Sequence, residues 1–242
     1  MEIRPILSTL MRHKTAGFLI VLQIALTCAI LCNALFMIGE RLSEMNVASG
    51  IAVEELVRVQ LIPVGNEVNA MAQTQSDLAV LKALPGVKAV TTVNQIPYVN
   101  SSWNSGVNLT PDQARPTLNA TSYMSNETFI ETFGVNVIAG RAFSPDEYMD
   151  YAAWSTNQAT LNTVIITQAM ANRLFPEEEA LGKEIYLGND PIRIVGIVEH
   201  LIRPNPEGGP IAREFSMIFT LRSSYDLVGQ YILRTSAERR EE

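Results

Sequence analysis

Residues Phe18–Ile38 read FLIVLQIALTCAILCNALFMI, a run of 21 residues without a charged side chain. At about 1.5 Å of rise per residue, a helix of this length covers the roughly 30 Å hydrocarbon core of a bilayer. A cleavable signal peptide has a shorter apolar run of about 7 to 15 residues and a small-residue cleavage pattern, which is lacking here. The sequence therefore predicts a transmembrane helix over residues 17–39 that stays attached to the protein.

Charges on the two sides of this run predict its orientation. Arg4, Arg12 and Lys14 precede it, whereas residues 40–44 carry two glutamates and one arginine. Because flanks rich in Lys and Arg stay on the cytoplasmic side, the N-terminus is predicted to be cytoplasmic.

Apolar side chains recur at three- and four-residue intervals before the span, with polar side chains between them. They are Ile3, Ile6, Leu7, Leu10 and Met11. This pattern predicts an amphipathic helix over residues 1–16 that lies in the membrane interface. A plain extension of the span with basic anchors fits the same residues equally well. After the span, residues 40–53 are predicted to form a helical connector.

Composition predicts a packed, acidic domain beyond the membrane segment. The chain has 242 residues and a net charge of -7. Residues 45–242 hold fourteen basic and twenty-two acidic side chains, without a basic stripe interleaved with aromatics, so nucleic acid is excluded as a partner. Both cysteines, Cys28 and Cys32, lie within the apolar run, which excludes a disulfide framework.

Alternating and helical patterns predict a mixed fold. Glu55–Ile62 alternates like a half-buried strand, Ser76–Leu84 has helical spacing of its leucines, and Val87–Ile96 returns to strand composition. Residues 118–139 repeat this order in outline. The predicted fold class is α+β, with a single N-terminal transmembrane helix followed by a two-lobed α+β domain.

The outer domain is predicted to span residues 54–242. A strand-and-helix lobe is expected to combine residues 54–143 with residues 212–242. Residues 144–211, which contain a predicted hairpin with strong β-branched content, are expected to form an inserted lobe.

Motifs for catalysis and nucleotide binding are lacking. Gly182-Lys183 is followed by Glu184 and has no earlier glycine at P-loop spacing, so the chain does not bind ATP by itself. The two histidines, His13 and His200, lie on opposite sides of the span, and His200 is interpreted as a surface or capping residue. The sequence therefore predicts no catalytic, cofactor or metal site, and the protein is predicted not to be an enzyme.

Two further features have a structural and a binding interpretation. The acidic clusters Glu177–Glu179 and Asp146–Glu147 lack the spacing of a cation site and are interpreted as a solvated helix end and a loop. Trp103 and Trp154 lie in polar, irregular stretches. They form either a binding surface or local core under long loops.

Several motifs after residue 134 resemble those of a known family. Residues 139–144 read AGRAFS, which resembles the G-R-x-F turn of the periplasmic core domain in MacB/FtsX-like ABC transporter permeases. Residues 164–176, residues 181–183 (LGK) and residues 194–198 (IVGIV) resemble the later signature of that family in order and spacing. The resemblance extends over nearly the whole chain.

The resemblance implies a bacterial inner-membrane permease subunit that works by mechanotransmission. It implies one span, a two-lobed periplasmic domain and three further spans, and this chain ends before those spans, as a fragment would. It also implies a separate ABC ATPase, a second permease subunit of like or unlike sequence, a possible periplasmic partner protein and a role in export or envelope processes. Such a mechanism requires a stiff link, in which only Gly39 interrupts the helical pattern.

Two rival functions are compatible with the predicted topology. A single-span membrane-anchored sensor or periplasmic binding protein would need no further spans. A membrane-anchored periplasmic enzyme would need a nucleophile paired with a base, and the sequence offers none.

Overall fold

A computed structural model of the chain describes residues 14–45, 48–61, 69–99, 102–205, 214–224 and 229–236. The chain divides into two compact units, Met1–Val47 and Ala48–Glu242. Helix α1 (Lys14–Met45) occupies the first unit. All sheets lie in the second, which we call the β-rich unit.

Helix α1 is long and apolar enough to cross a membrane. Its stretch Gly17–Glu40 has 24 residues and a mean hydropathy of 2.3. Large apolar side chains such as Phe18 and Leu35 are each 67% exposed, so the helix requires apolar surroundings. The predicted span, residues 17–39, lies within it. The predicted amphipathic helix falls almost entirely outside the described residues.

The predicted helical connector, residues 40–53, is helical only as far as Met45 among the described residues. Residues 48–52 are not helical, and Val53–Glu55 form a 3-10 helix. Gly50 has φ +74°, a left-handed conformation that an α-helix cannot continue through. Local periodicity along residues 40–53 does not encode this conformation, because it depends on the close approach of Gly50 to the backbone of His200.

A small sheet carries the predicted strand-helix-strand order. It consists of β1 (Leu56–Gln60), β2 (Val87–Thr92) and β12 (Gln230–Thr235) in the order β1-β12-β2, with both pairings antiparallel. Helix α2 (Ala70–Lys82) lies between β1 and β2 in the chain, and the side chain of Asn69 accepts a hydrogen bond from the Ala72 amide at its start. Alternate strand residues, including Val57, Val59, Val90, Tyr231 and Leu233, pack with α2 in one apolar cluster.

A larger sheet contains the central strands of the chain. Its strands are β3 (Asn104–Val107), β4 (Leu118–Met124), β5 (Val137–Gly140), β7 (Thr163–Thr167), β8 (Glu184–Leu187), β9 (Asp190–Val198) and β10 (Ser216–Phe219). The order is β3-β4-β10-β7-β9-β5, with β8 paired to β9. Two backbone hydrogen bonds of 3.0 and 2.9 Å join Asn108 to Tyr186. This bridge brings the end of β3 to β8 and closes six strands into a ring around an apolar core.

The mixed α+β class is confirmed, but the sheets do not follow the predicted lobe boundaries. Strands β7 to β9, from the predicted insert 144–211, share a sheet with β3, β4, β5 and β10. Among the described residues, the small sheet consists of Leu56–Gln60, Val87–Thr92 and Gln230–Thr235. The reason is that β10 pairs in parallel with β4 and antiparallel with β7, a partnership that periodicity along the chain does not encode.

The β-rich unit also contains several short elements. They are α3 (Phe129–Phe133), α4 (Tyr151–Ser155), α5 (Gln168–Leu174), and the two-residue strands β6 (Met149–Asp150) and β11 (Leu221–Arg222), which pair in parallel. A second apolar cluster contains Val93 and Ile232 beside the small sheet, Phe129 and Phe133 of α3, and Ile218 of β10. Burial of these side chains packs the two sheets against α3.

Two glycines of the family-like motifs face each other in the β5/β9 ladder. Gly140 and Gly196 are register partners. A Cβ on Gly196 would lie 2.4 Å from the carbonyl oxygen of Arg141, and a Cβ on Gly140 would lie 2.3 Å from that of Val195. The two strands therefore approach too closely for any side chain at these positions. Gly182 differs, because its φ is +79° while no atom lies within 4 Å of its missing Cβ.

We predict that Gly196→Ala destabilises the β-rich unit by about 2 to 4 kcal/mol, because the added methyl group would overlap the carbonyl oxygen of Arg141. The φ of Gly196 is ordinary, so this cost is steric and not conformational. The matched variant Gly182→Ala should cost only about 1 kcal/mol, for the left-handed φ. Chemical denaturation of the full chain in micelles, followed by circular dichroism, measures both. Equal losses of stability in the two variants would contradict the steric account.

The motif residues Arg141 and Ser144 stabilise the N-terminal end of a short 3-10 helix, Pro145–Glu147. The Ser144 amide donates to a Glu147 carboxylate oxygen at 2.6 Å, completing a capping box. Two guanidinium nitrogens of Arg141 donate to the same carboxylate at 2.6 and 2.8 Å. The hydrogen bonds from Arg141 and Ser144 lower the pKa of Glu147.

The lowered pKa of Glu147 gives this cap a defined pH dependence. An ionised Glu147 contributes stability above the carboxyl group's ordinary pKa of 4.5, and the contribution is lost as pH falls through the lower folded-state value. We expect Glu147→Gln to cost about 1 kcal/mol at pH 7. The difference in unfolding free energy from the parent chain should shrink when both are measured near pH 3. Glu177→Gln, which removes an exposed carboxylate, should leave the stability unchanged at both pH values, and a pH-independent effect of Glu147→Gln would refute the assignment.

Candidate functional site

The β-rich unit begins with residues 48–56, which we call the junction segment. Its first contact is with the loop that follows β9. The carbonyl oxygen of Ser49 accepts a hydrogen bond from the Ile202 amide at 3.1 Å. At Gly50 a Cβ would lie only 2.0 Å from the carbonyl oxygen of His200, so this position tolerates no side chain. The backbones of the two segments are therefore in direct contact.

A second contact joins the junction segment to α3. The Ala52 amide donates to the carbonyl oxygen of Phe133 at 2.8 Å, at the C-terminal end of the helix. Gly134 ends α3 in the left-handed conformation that helix C-termini favour, with φ +69°. A Cβ on Gly134 would lie 3.1 Å from that of Ala52. The junction segment thus lies against the cap of the helix.

An ion pair makes the third contact. The Arg234 Nε donates to the Glu55 carboxylate at 2.6 Å, and another guanidinium nitrogen of Arg234 donates to the Glu131 carbonyl oxygen at 2.8 Å. The Lys88 ammonium lies 3.4 Å from the other Glu55 oxygen. The hydrogen bond from Arg234 lowers the pKa of Glu55, with a smaller contribution from Lys88. Glu55 therefore ties the junction segment to β12, β2 and α3 together.

These three contacts attach one short segment to elements of both sheets. The first reaches the loop after β9 of the large sheet, the second reaches α3 between the sheets, and the third reaches β12 of the small sheet. Because backbone atoms and a charge-assisted hydrogen bond make the contacts, the segment cannot move independently of the fold around it. An attachment of this kind can pass a displacement of the segment on to both sheets.

His200, interpreted from sequence as a surface or capping residue, lies beside the junction segment. Its Nδ1 is 3.1 Å from a Glu214 carboxylate oxygen. Together with Asn136, Glu199 and the junction segment it lines an open cleft of about 440 Å³. The Asn136 amide donates to Glu199 at 2.9 Å across this cleft. The sequence analysis placed none of these residues together, because they are far apart along the chain.

The acidic clusters have structural partners. Glu147 caps the 3-10 helix described above, and Glu178 forms an ion pair with Lys183. Among the residues that the structure describes, no group of three or more His, Cys, Asp or Glu side chains is arranged to hold a metal ion. Cys28 and Cys32 are unpaired and exposed on α1.

The structure brings the two tryptophans to one place. The Tyr151 ring lies 6.3 Å from the Trp103 ring and 5.7 Å from the Trp154 ring, measured between centroids. Trp154 and Tyr151 pack against the core of the large sheet, whereas Trp103 is 37% exposed. The core interpretation therefore fits Trp154, and Trp103 remains accessible at the surface.

Comparisons with known proteins agree with the motif analysis. The model of the MacB-like periplasmic core domain family matches residues 18–237. The chain is 23% identical over 204 residues to the uncharacterized ABC transporter permease YknZ of Bacillus subtilis, covering 82% of this chain and 46% of that protein. It is 35% identical over 85 residues to the macrolide export ATP-binding/permease protein MacB of Bartonella henselae, covering 34% of this chain and 11% of that protein. The chain thus spans less than half the length of these curated relatives.

Two solved structures of domains from such transporters also align with parts of the chain. The extracellular domain of the noncanonic ABC-type transporter YknZ from Gram-positive bacteria aligns with a TM-score of 0.43 at 16% identity, over 74% of this chain and 84% of that one. The periplasmic region of MacB from Actinobacillus actinomycetemcomitans aligns with a TM-score of 0.46 at 15% identity, over 79% of each chain. The family match extends over most of the sequence and confirms the resemblance seen in the motifs. The chain therefore belongs to the MacB-like periplasmic core domain family, the domain of MacB-like ABC transporter permeases.

Proposed function

We propose that this chain supplies the first membrane helix and the periplasmic domain of an ABC permease subunit. In this role it couples ATP hydrolysis by a separate ATPase to movement of the periplasmic domain, in export or another envelope process. It acts by transmitting force and position and carries out no chemistry itself. The observation that carries the proposal is the attachment of the junction segment to both sheets.

The mechanical argument starts at the junction segment. A displacement arriving at residue 48 meets backbone contacts to His200 and Phe133 within the next five residues. A flexible tether at this point would absorb the displacement as changes in its own dihedral angles. Because the segment is held at three places, the displacement instead moves the sheets.

The membrane helix has the stiffness that such coupling needs. Helix α1 continues without a break from Lys14 to Met45 and contains no proline. Gly39 lies within it, near the end of the apolar stretch. Proline in a helix interior removes a hydrogen bond and kinks the axis, whereas glycine costs only about 1 kcal/mol of helix propensity.

Topology and partners follow from charge and from the family. Basic residues before α1 support a cytoplasmic N-terminus in the bacterial inner membrane, with residues 1–16 as an interfacial helix and residues 17–39 as the span. An ABC ATPase then acts from the cytoplasmic side, and a second permease subunit, like or unlike, completes the membrane assembly. The acidic periplasmic domain faces a possible protein partner and is unsuited to nucleic acid. Family membership favours this function over a single-span sensor.

We predict that Gly39→Pro in the full-length permease uncouples the periplasmic domain from the ATPase. The proline kinks α1 near the membrane surface, so movement of the span no longer reaches the junction segment. The measurement is transport-coupled ATPase activity of the reconstituted complex in nanodiscs, which should fall to the level of the ATPase without permease coupling. Gly39→Ala is the matched control, because nothing lies within 4 Å of its added methyl group, and it should couple normally. Unchanged coupling in the proline variant would refute the proposal.

We also predict that Gly50→Ala impairs coupling while leaving the membrane helix intact. The added methyl group meets the backbone of His200 and the φ of +74° is strained for alanine, so the contact between the junction segment and the loop that follows β9 is lost at a cost on the order of 2 to 4 kcal/mol. The same nanodisc assay reads the effect. Gly182→Ala shares the strained φ without the clash and should retain coupling. If both variants couple equally well, the junction segment is not the transmitting element.

A further inference from the structure

A small pocket of about 170 Å³ opens between the loop after α4 and the start of β9. We call it the Trp154 pocket. Trp154, Leu187 and Ile192 supply its apolar surface, and Asn157, Thr160 and Asp190 supply polar atoms. Pockets for drug-sized ligands have volumes of roughly 300 to 1,000 Å³, so this one fits a group of side-chain size.

The aromatic wall of the pocket is held in place. The Trp154 ring contacts Tyr151 at 5.7 Å between centroids, and both rings pack against the core of the large sheet. Tyr151 in turn contacts Trp103 at 6.3 Å. Contacts of this kind restrict ring orientation, so the Trp154 ring that lines the pocket is held in place before a ligand arrives.

The turn that precedes Asp190 is also held in place. Asp190 begins β9 directly after the turn at Gly188 and Asn189. The Asn108 side-chain amide donates to the Gly188 carbonyl oxygen at 3.3 Å. Asn189 and Asp112 exchange two hydrogen bonds, of 2.9 and 3.1 Å. The turn before Asp190 is thus fixed by the connection between β3 and β4.

Asp190 differs from Glu178 and Glu184 in lacking an ion-pair partner among the described residues. Glu184, at the opposite end of the β8/β9 hairpin, lies 3.7 Å from Arg193. Glu178 pairs with Lys183. The structure gives Asp190 no ion-pair partner among the residues that it describes. An exposed negative charge therefore lies at the rim of an apolar, aromatic pocket.

We propose that the Trp154 pocket binds an organic cation: an ammonium or guanidinium group on a short aliphatic stem, as in a lysine or arginine side chain. The face of an indole ring attracts a cation through its quadrupole, and a nearby carboxylate adds Coulomb attraction. Leu187 and Ile192 contact the aliphatic stem. The acidic net charge of the chain raises the local concentration of such cations.

Two sources can supply this chemistry. One is a basic side chain of a periplasmic protein, and the other is a free amine or guanidine. This inference is independent of mechanical coupling, since it rests only on the pocket. A failure of the coupling experiments would not affect the proposed cation binding, and a failure to bind cations would not affect the proposed coupling.

Fluorine NMR of the full chain in an uncharged detergent tests the proposal, because the chain has only two tryptophans. Both are replaced by 5-fluorotryptophan, and Trp103→Phe assigns the two signals. Titration with n-butylammonium should shift the Trp154 signal saturably, with a dissociation constant on the order of 1 to 10 mM. The Trp103 signal should move much less. The neutral control, 1-butanol, should give no saturable shift.

Two charge variants test whether the Asp190 carboxylate contributes to n-butylammonium binding. Asp190→Asn should weaken n-butylammonium binding by about threefold or more. Glu184→Gln removes a carboxylate of the same hairpin outside the pocket lining and should leave binding unchanged. Absence of a saturable Trp154 shift up to about 50 mM, an equal shift with 1-butanol, or an unchanged affinity in Asp190→Asn would each overturn the proposal.

Titration with short peptides distinguishes a protein side chain from a free amine as the ligand. Acetyl-Gly-Lys-Gly-amide binding at least as tightly as n-butylammonium supports a protein side chain as the ligand, with acetyl-Gly-Gln-Gly-amide as the uncharged control. Weaker binding of the lysine peptide than of n-butylammonium supports a free amine. Equal binding of the lysine and glutamine peptides would contradict a cation site.

Discussion

The close backbone contact between the junction segment and the loop that follows β9 is the constraint on which the functional interpretation depends. Gly50 and His200 leave no room for a single methyl group between them. A contact of this kind fixes distance far better than a surface ion pair does, because atoms in van der Waals contact resist compression steeply while exposed charges are screened. The hydrogen bond to Phe133 and the Glu55–Arg234 pair then fix the direction of the chain.

The same principle recurs inside the large sheet. Gly140 and Gly196 allow β5 and β9 to approach closely, and the family-like motifs that contain them mark this approach. The motif residues Arg141 and Ser144 serve the cap around Glu147 rather than a binding site. The residues that carry the resemblance are therefore mostly structural: they hold the fold that a transmitting domain needs. The motifs can therefore be recognised in the sequence although none of them predicts a catalytic site.

Several predictions from sequence were right about elements and wrong about their arrangement. Periodicity identified the strand, helix and strand from β1 to β2, because side-chain alternation is local. Periodicity could not place β10 between β4 and β7, since that pairing joins segments about fifty or more residues apart. For the same reason it did not show that strands within residues 144–211 share a sheet with strands outside this range. Sequence patterns gave no relation between Trp103 and Trp154. The fold places the Tyr151 ring between these two rings, and it places Asp190 in the lining of the same pocket as Trp154.

By itself the sequence determined the apolar helix, the acidic character of the domain that follows, the α+β class and the family, because each of these is a property of composition or of neighbouring residues. The tertiary structure decided which strands form the small sheet and which form the large sheet, the three contacts of the junction segment, and the Trp154 pocket. Glu55 and Arg234 illustrate the physical reason, since 179 positions of chain separate two side chains that form a hydrogen bond. Contacts at that separation arise from the packing of the whole unit, and local sequence patterns carry no record of them.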